Sequence, residues 1–446
     1  MKLFFYCQKI NFLRVYSTII NEALNRNHLV EVCFDYNEHD IDDLKKKLIN
    51  NYLNNKNLVF KTFKTNQELI DYLELDKSID IYILIYPSKF LIDNKLINKV
   101  SNKVVFIKSG IDTIATYMHW HLISKDNPLD LHSYKKYIFT WTTNFFNELI
   151  NIVNTYGNKI EKNNLKYLDE LNLENIPTGF SEIDNHINSF DKSIIKKEFN
   201  IEMNKDILIY LPYPISFNRP NKSWQSAYSG IFLNFKKDNR NFIMNSIISV
   251  IKKIAVILLI LSRPSSIFWS LKGYNEKNMI KSIRKFCDKN EILFVIKRRN
   301  KHRLIDEAYN SADLIIDDNK SFYPTNYQKL LRISKLVLGY HSTAVFEAVK
   351  MNVPYLNIES PIGHFASPLI KNLFSTKKNY LFNFSGIVWN HKIKYLLRNF
   401  HNMNIEDFKI IDQQKHKYVK KFLNEDNNGL DTLFNKLNKI KIENGK

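Results

Sequence analysis

The segment Leu336-Val337-Leu338-Gly339-Tyr340-His341-Ser342-Thr343-Ala344-Val345-Phe346-Glu347-Ala348 carries the reading of the fold. An apolar run ends at Gly339, a short polar turn follows, and apolar residues then recur at helical spacing. A strand delivered straight into a helix is the unit from which parallel α/β sheets are built. Ser342 or Thr343 falls at the helix N-cap, where a hydroxyl meets an otherwise unpaired amide. A helix start presents N–H groups and about half a positive charge, which suits a phosphate or pyrophosphate. The same hydroxyl would equally serve as a plain structural cap. His341 stands in the turn. Glu347 lies one turn along the same helix face, where a carboxylate can accept from sugar hydroxyls.

The alternation continues on both sides of this segment. Strands are expected at Leu3–Tyr6, Leu29–Phe34, Leu58–Phe63, Ile79–Tyr86, Val104–Ile107 and Tyr137–Thr140, with helices around Val15–Leu24 and Glu68–Leu75. A Pro–Gly turn over Ile176–Asp184 breaks the rhythm. A second series follows, with strands at Asp206–Leu211, Ile267–Leu271, Ile292–Lys297, Leu314–Asp317, Leu336–Tyr340 and Pro354–Ile358. Its helices are expected at about 241–260, Glu276–Lys289, Tyr327–Ser334 and Ser342–Lys350. These patterns predict an α/β chain with a first Rossmann-like domain over 1–195 and a second over 205–390. A lysine-rich helical segment over 391–446 is placed to pack back on the first domain.

Two further segments bear cations or imidazoles. Phe294–Lys297 is a buried strand that delivers Lys297, Arg298, Arg299, Lys301 and His302 into the loop at its carboxyl end. In open α/β sheets ligands bind at that edge. Arg grips phosphate oxygens as a fork and Lys as a point charge. A solvated basic loop is the plainer reading of the same residues. In the first half, Asp112, His119 and His121 are candidates for a general base; a structural histidine is the plainer reading there. Asp317-Asp318 reads as a solvated loop rather than a metal site, and no metal-ligand spacing appears elsewhere.

The 446 residues carry a net charge of +20. The excess reads either as drift in a chain rich in Lys, Asn and Ile, or as attraction to phosphates or an anionic membrane surface. No zinc-finger spacing or basic–aromatic cluster appears, so no nucleic-acid partner is expected. Three widely spaced cysteines, Cys7, Cys33 and Cys287, read as buried free thiols suited to a reducing cytoplasm. The opening Met1–Tyr6 reads as a first strand rather than a signal peptide. The apolar run Ile254–Leu261 falls short of a membrane span and reads as a buried helix. The chain contains no P-loop, GxGxxG, GxSxG or HExxH motif.

The order of these parts resembles glycosyltransferases of the GT-B fold. The branch it is most similar to is shared by CDP-glycerol glycerophosphotransferases, capsule-polysaccharide transferases and UDP-N-acetylglucosamine 2-epimerases. The resemblance is clearest over about 176–358. Ile176–Asp184 is similar to the family's Gly-x-Pro-x-x-Asp turn, with Pro preceding Gly here. Ile296–His302 looks like its lysine-plus-His-Pro loop, without a Pro after His302; the family histidine falls to His302 or Arg299. Tyr323-Pro324, Leu330-Leu331 and Gly339–Ala348 are similar to its donor-binding run.

The resemblance implies two Rossmann-like domains whose parallel sheets face across a cleft. It implies transfer of a sugar or polyol phosphate from a UDP- or CDP-type donor, in surface polysaccharide or glycan synthesis, with no obligatory metal or other cofactor. The donor diphosphate would meet Ser342 and Thr343, with His341 and Tyr323 beside them, and Glu347 would hold ribose. Lys297, Arg298, Arg299 or Lys301 would offset the developing charge. The acceptor, a glycan or a lipid-linked group, would bind mainly to the first domain of a cytoplasmic protein docked peripherally on the inner membrane face. A UDP-sugar 2-epimerase-like enzyme, or a non-catalytic nucleotide- or carbohydrate-binding protein, is the alternative.

Overall fold

The computed structural model describes residues 1–7, 12–35, 55–63, 65–86, 103–108, 136–142, 144–145, 147–148, 151, 173–183, 190–212, 276–298, 304–317, 325–359, 376–424 and 429–444. The expected helix near 241–260, the strand at Ile267–Leu271 and the apolar run Ile254–Leu261 lie outside them.

The first sheet contains β1 (Lys2–Cys7), β2 (Leu29–Asp35), β3 (Leu58–Phe63), β4 (Ile81–Tyr86), β5 (Val104–Lys108), β6 (Lys136–Thr140) and β7 (Leu173–Pro177), in the order β3-β2-β1-β4-β5-β6-β7. The second contains β8 (Ile207–Leu211), β9 (Leu293–Lys297), β10 (Leu314–Ile316), β11 (Ser334–Gly339), β12 (Tyr355–Glu359) and β13 (Val388–Lys392), in the order β10-β9-β8-β11-β12-β13. Every strand pair among the described residues is parallel. Both sheets therefore reverse their strand order once, between β1 and β4 and between β8 and β11. That is the doubly wound Rossmann pattern. Leu3-Phe4-Phe5-Tyr6-Cys7 is buried throughout because helices cover both faces of a parallel sheet.

The described helices are α1 (Leu13–Asn25), α2 (Asn66–Leu75), α3 (Lys192–Glu198), α4 (Glu276–Lys289), α5 (Asp306–Ser311), α6 (Asn326–Leu331), α7 (Ala344–Lys350), α8 (Ile393–Asn399), α9 (Asp412–Phe422) and α10 (Gly429–Asn444). Val15, Ile19, Ile20, Ala23 and Leu24 bury one face of α1 against the first sheet. Glycine is scarce, and asparagine takes the left-handed exits that glycine often fills. Asn27, Asn200 and Asn352, just past α1, α3 and α7, have φ of 59°, 55° and 61°.

Three expectations change. The helix expected over Tyr327–Ser334 ends at Leu331, and Ser334 already opens β11. The turn read at Ile176–Asp184 begins as an edge strand: Pro177 closes β7, where a missing amide costs little. The chain near 390, expected to be helical, opens with a second edge strand, β13. Both strands are polar because an edge needs no apolar run.

The C-terminal helices tie the two sheets together. α9 sends Tyr418 and Phe422 into a core shared with Trp141, Phe180 and Phe346, and Trp141 meets Phe346 at 4.6 Å. α10 lays Leu433, Phe434, Leu437 and Ile440 on the first sheet. Tyr137 donates to Glu443 (3.1 Å), and Lys436 pairs with Glu174 (3.0 Å).

Candidate functional site

The crevice at which a doubly wound sheet binds ligands opens where its strand order reverses, at the carboxyl ends. In the second sheet that point lies between Leu211 of β8 and Gly339 of β11, which are paired in register. Gly339 has a packing reason to lack a side chain. A Cβ there would lie 2.3 Å from Tyr355 Oη and 3.3 Å from Leu211 Cβ.

The turn after Gly339 is held on all sides. Tyr340 is buried, its hydroxyl 3.4 Å from that of Tyr210. The His341 ring packs edge-on against Phe382 at 5.1 Å. Burial lowers its pKa to about 4, so the imidazole is neutral near pH 7. The Ser342 hydroxyl accepts from the Ala344 amide at 3.3 Å. Thr343 occupies the N-cap position but already has helical φ and ψ, and its side chain makes no capping bond. The first turn of α7 is also tight. Val345 N–H donates to Ser342 O (3.1 Å) and Phe346 N–H to Thr343 O (3.0 Å). These short-range bonds occupy amides that a helix start otherwise leaves open.

Glu347, 1% exposed, does not face open solvent. Its Oε1 accepts from Gln328 Nε2 at 3.1 Å, and the same nitrogen lies 2.9 Å from Glu182 O. Gln328 is fixed by a capping box with Thr325 at the start of α6. Tyr327 Oη donates to Ala344 O at 2.9 Å, locking α6 to α7. Glu182 in turn pairs with Arg14 Nε of α1 at 3.0 Å, and Thr18 Oγ1 donates to Ser181 O. Burial raises the Glu182 pKa against the pull of Arg14. A polar chain, buried beyond the half-exposed Arg14, thus runs from the first turn of α1 to α7.

Lys297 ends β9 with its side chain buried, and Nζ donates to Arg298 O at 3.1 Å. Arg298 forks onto Asp317, Nε to Oδ1 at 2.7 Å and Nη2 to Oδ2, and Nη1 donates to Tyr309 Oη at 3.4 Å. The bonds to Asp317 raise the Arg298 pKa. Asp317, first read as part of a solvated loop, is the counter-ion of Arg298.

The structure brings His341, Ser342, Thr343 and Glu347 together at the β11–α7 junction. Lys297 and Arg298 end β9, two strands from β11, or roughly 10 Å across the sheet. Asp112, His119, His121, Arg299, Lys301, His302 and Tyr323 lie outside the described residues. Arg14, Glu182 and Gln328 were not singled out in the sequence. Thr325-x-x-Gln328 has capping-box spacing that signals a helix start, whereas nothing local marks Arg14 or Glu182 as partners. Among the described residues no group of His, Cys, Asp and Glu could hold a metal ion, and no helix is long and apolar enough to cross a membrane. The three cysteines are buried and none forms a disulfide.

No protein-family model matches this chain, and no curated protein matches it. Solved structures do. The UDP-GlcNAc 2-epimerase of Neisseria meningitidis, bound to UDP-GlcNAc, aligns with a TM-score of 0.51 at 14% identity, covering 98% of this chain and 100% of that one. Arabidopsis thaliana UGT89C1 complexed with UDP aligns with a TM-score of 0.50 at 10% identity, covering 99% of each chain. Two parallel Rossmann-like sheets over the full length of both chains define the class: the protein has the GT-B fold.

Proposed function

We propose that this protein is a GT-B transferase. It moves a sugar or polyol phosphate from a UDP- or CDP-type donor to an acceptor hydroxyl in glycan or surface-polysaccharide synthesis. The observation that carries the reading is the β11–α7 junction: Ser342 and His341 stand at the reversal point of the second sheet, with Glu347 one turn behind. The UDP and UDP-GlcNAc bound in the two similar structures support a nucleotide-linked ligand.

In this reading the Ser342–Thr343 turn receives the donor diphosphate, and the cations that end β9 offset the charge that develops on it as the bond to the transferred group breaks. Arg298 contributes only if the ligand competes with Asp317 for its fork. The neutral His341 imidazole can donate to a phosphate oxygen without carrying a proton off at neutral pH. Asp112, His119 or His121 takes the proton from the acceptor hydroxyl. In this reading no metal is required, because the cations supply the positive field. The surplus of basic residues draws the cytoplasmic protein to an anionic membrane face bearing its acceptor.

Thermal-shift and calorimetric titrations with UDP, CDP, GDP and CMP test the donor site, with Ser342→Ala and Glu347→Ala beside the wild type. At 100-fold above its Kd a nucleotide stabilises the fold by about 2.7 kcal/mol. Binding of one nucleotide, weakened in both variants, supports the assignment. A wild type that binds none of the four removes it.

A further inference from the structure

The carboxyl edge of the second sheet holds a polar row where a doubly covered parallel sheet is normally apolar. Asn357 of β12 pairs in register with Gly339 of β11, and its side chain is 0% exposed. Asn357 Nδ2 donates to Asn390 Oδ1 at 2.7 Å, and Asn390 Nδ2 donates to Glu359 Oε2 at 2.6 Å. Asn357 Oδ1 is buried and has no hydrogen-bond partner among the described residues.

The chemistry of the row fixes which atom is left over. An ionised carboxylate only accepts, so Asn390 must turn its Nδ2 toward Glu359. Asn390 then offers Oδ1 to Asn357, which must answer with Nδ2. The outstanding atom is therefore an acceptor, and the Glu359 charge dictates that polarity from two hydrogen bonds away. A buried acceptor without a donor is rare in native proteins, and such groups are met by water or by a ligand.

We propose that Asn357 Oδ1 accepts a hydrogen bond from a hydroxyl of the transferred sugar or polyol, with Asn390 and Glu359 as positioning residues that hold its amide in that sense. This rests on the nucleotide-linked donor reading above. Asn357 is one strand beyond the β8–β11 reversal point, next to the junction assigned to the diphosphate. Phosphate oxygens are acceptors and cannot answer Oδ1, so the partner is a hydrogen-bond donor on the nucleoside or on the transferred group; we take the transferred group, and the probes below separate the two.

Calorimetry decides it, using UDP, UDP-GlcNAc, CDP and CDP-glycerol as probes on the wild type, Asn357→Leu and Glu359→Gln. Asn357→Leu should bind the nucleoside diphosphate within about twofold of wild type and the linked donor roughly tenfold more weakly. Glu359→Gln keeps the shape of the row but lets both amides reverse, so it should lose about threefold for the linked donor alone. A packing role cannot respond to that substitution at the rim, and this arm stands if Asn357→Leu fails to fold. Equal losses for both ligands, which would indicate contact with the ribose or the base, overturn the proposal. So does an unchanged affinity for the linked donor, the result expected if an enclosed water satisfies Oδ1. A wild type that binds no probe instead overturns the functional reading, and this proposal falls with it.

Discussion

Gln328 Nε2 donates to the buried Glu347 carboxylate at 3.1 Å and lies 2.9 Å from the carbonyl of Glu182. One side-chain amide thus joins the helix behind the candidate donor turn to the segment that leaves the first sheet. Replacing it with leucine leaves a carboxylate and a carbonyl short of a donor. Gln328→Leu should cost roughly 1–3 kcal/mol in urea denaturation. A loss below about 0.5 kcal/mol, typical of neutral surface changes, would show that water replaces the amide without penalty.

The same joint depends on Arg14, the cation that pairs with the buried Glu182. Arg14→Ala should destabilise by roughly 2–3 kcal/mol, short of a fully enclosed pair because 36% of the Arg14 side chain meets solvent. Burial raises the Glu182 pKa while Arg14 pulls it down, so removing Arg14 should raise it further. The deficit of the variant should shrink as pH falls and Glu182 takes up a proton, and grow as pH rises. Melting curves of both proteins between pH 4 and 8 check the trend, and a deficit independent of pH counts against it.

Glu276 opens α4 in a buried position, and burial raises its pKa from 4.5 to about 7. The folded state holds this proton across a window in which the unfolded chain has lost it. The contribution is present below about pH 4.5 and is lost as pH rises through about 7. Glu276→Gln mimics the protonated form. It should match the wild type near pH 4 and exceed it by roughly 3 kcal/mol at pH 8. Chemical denaturation at the two pH values tests the sign, and a variant less stable than wild type at pH 8 contradicts it.

Gly339 lies against the Tyr355 hydroxyl, so Gly339→Ala should cost about 1–3 kcal/mol through overpacking. Removing that oxygen relieves the closest contact, though the Tyr355 ring carbon still lies 3.2 Å from the added methyl. The double variant Gly339→Ala, Tyr355→Phe should therefore recover part of the loss relative to the sum of the single variants. Strict additivity in a double-mutant cycle would place the strain elsewhere.

Most of the strands were legible because their residues announce them. Leu3–Tyr6, Leu29–Phe34 and Leu336–Gly339 are apolar runs that only a doubly covered sheet can bury. Two of the four edge strands, Leu58–Phe63 and Leu314–Ile316, were legible in the same way; the other two, Leu173–Pro177 and Val388–Lys392, carry no such run and look like turn and helix. A hydroxyl before a helical repeat, at Ser342 or Thr343, was legible as the mark of a helix start; that Thr343 holds the N-cap position without a side-chain bond while Ser342 accepts from Ala344 was not. The sequence did not reveal that Val345 and Phe346 already spend their amides inside the turn, since that depends on the backbone angles at Thr343.

The amino-acid sequence by itself determined the α/β alternation, the basic surplus, and the place of His341, Ser342 and Glu347 at one strand-to-helix junction. Local spacing and hydropathy suffice for these, because each is decided within a few residues. Tertiary structure alone decided that the junction stands at the reversal point of a six-stranded sheet, that Asp317 neutralises Arg298, that Glu182 meets Arg14 and Gln328, and that Asn357 holds an unanswered acceptor. Glu182 and Arg14 are 168 positions apart. Such pairings follow from how two sheets and the returning C-terminal helices pack, and no local pattern encodes that packing.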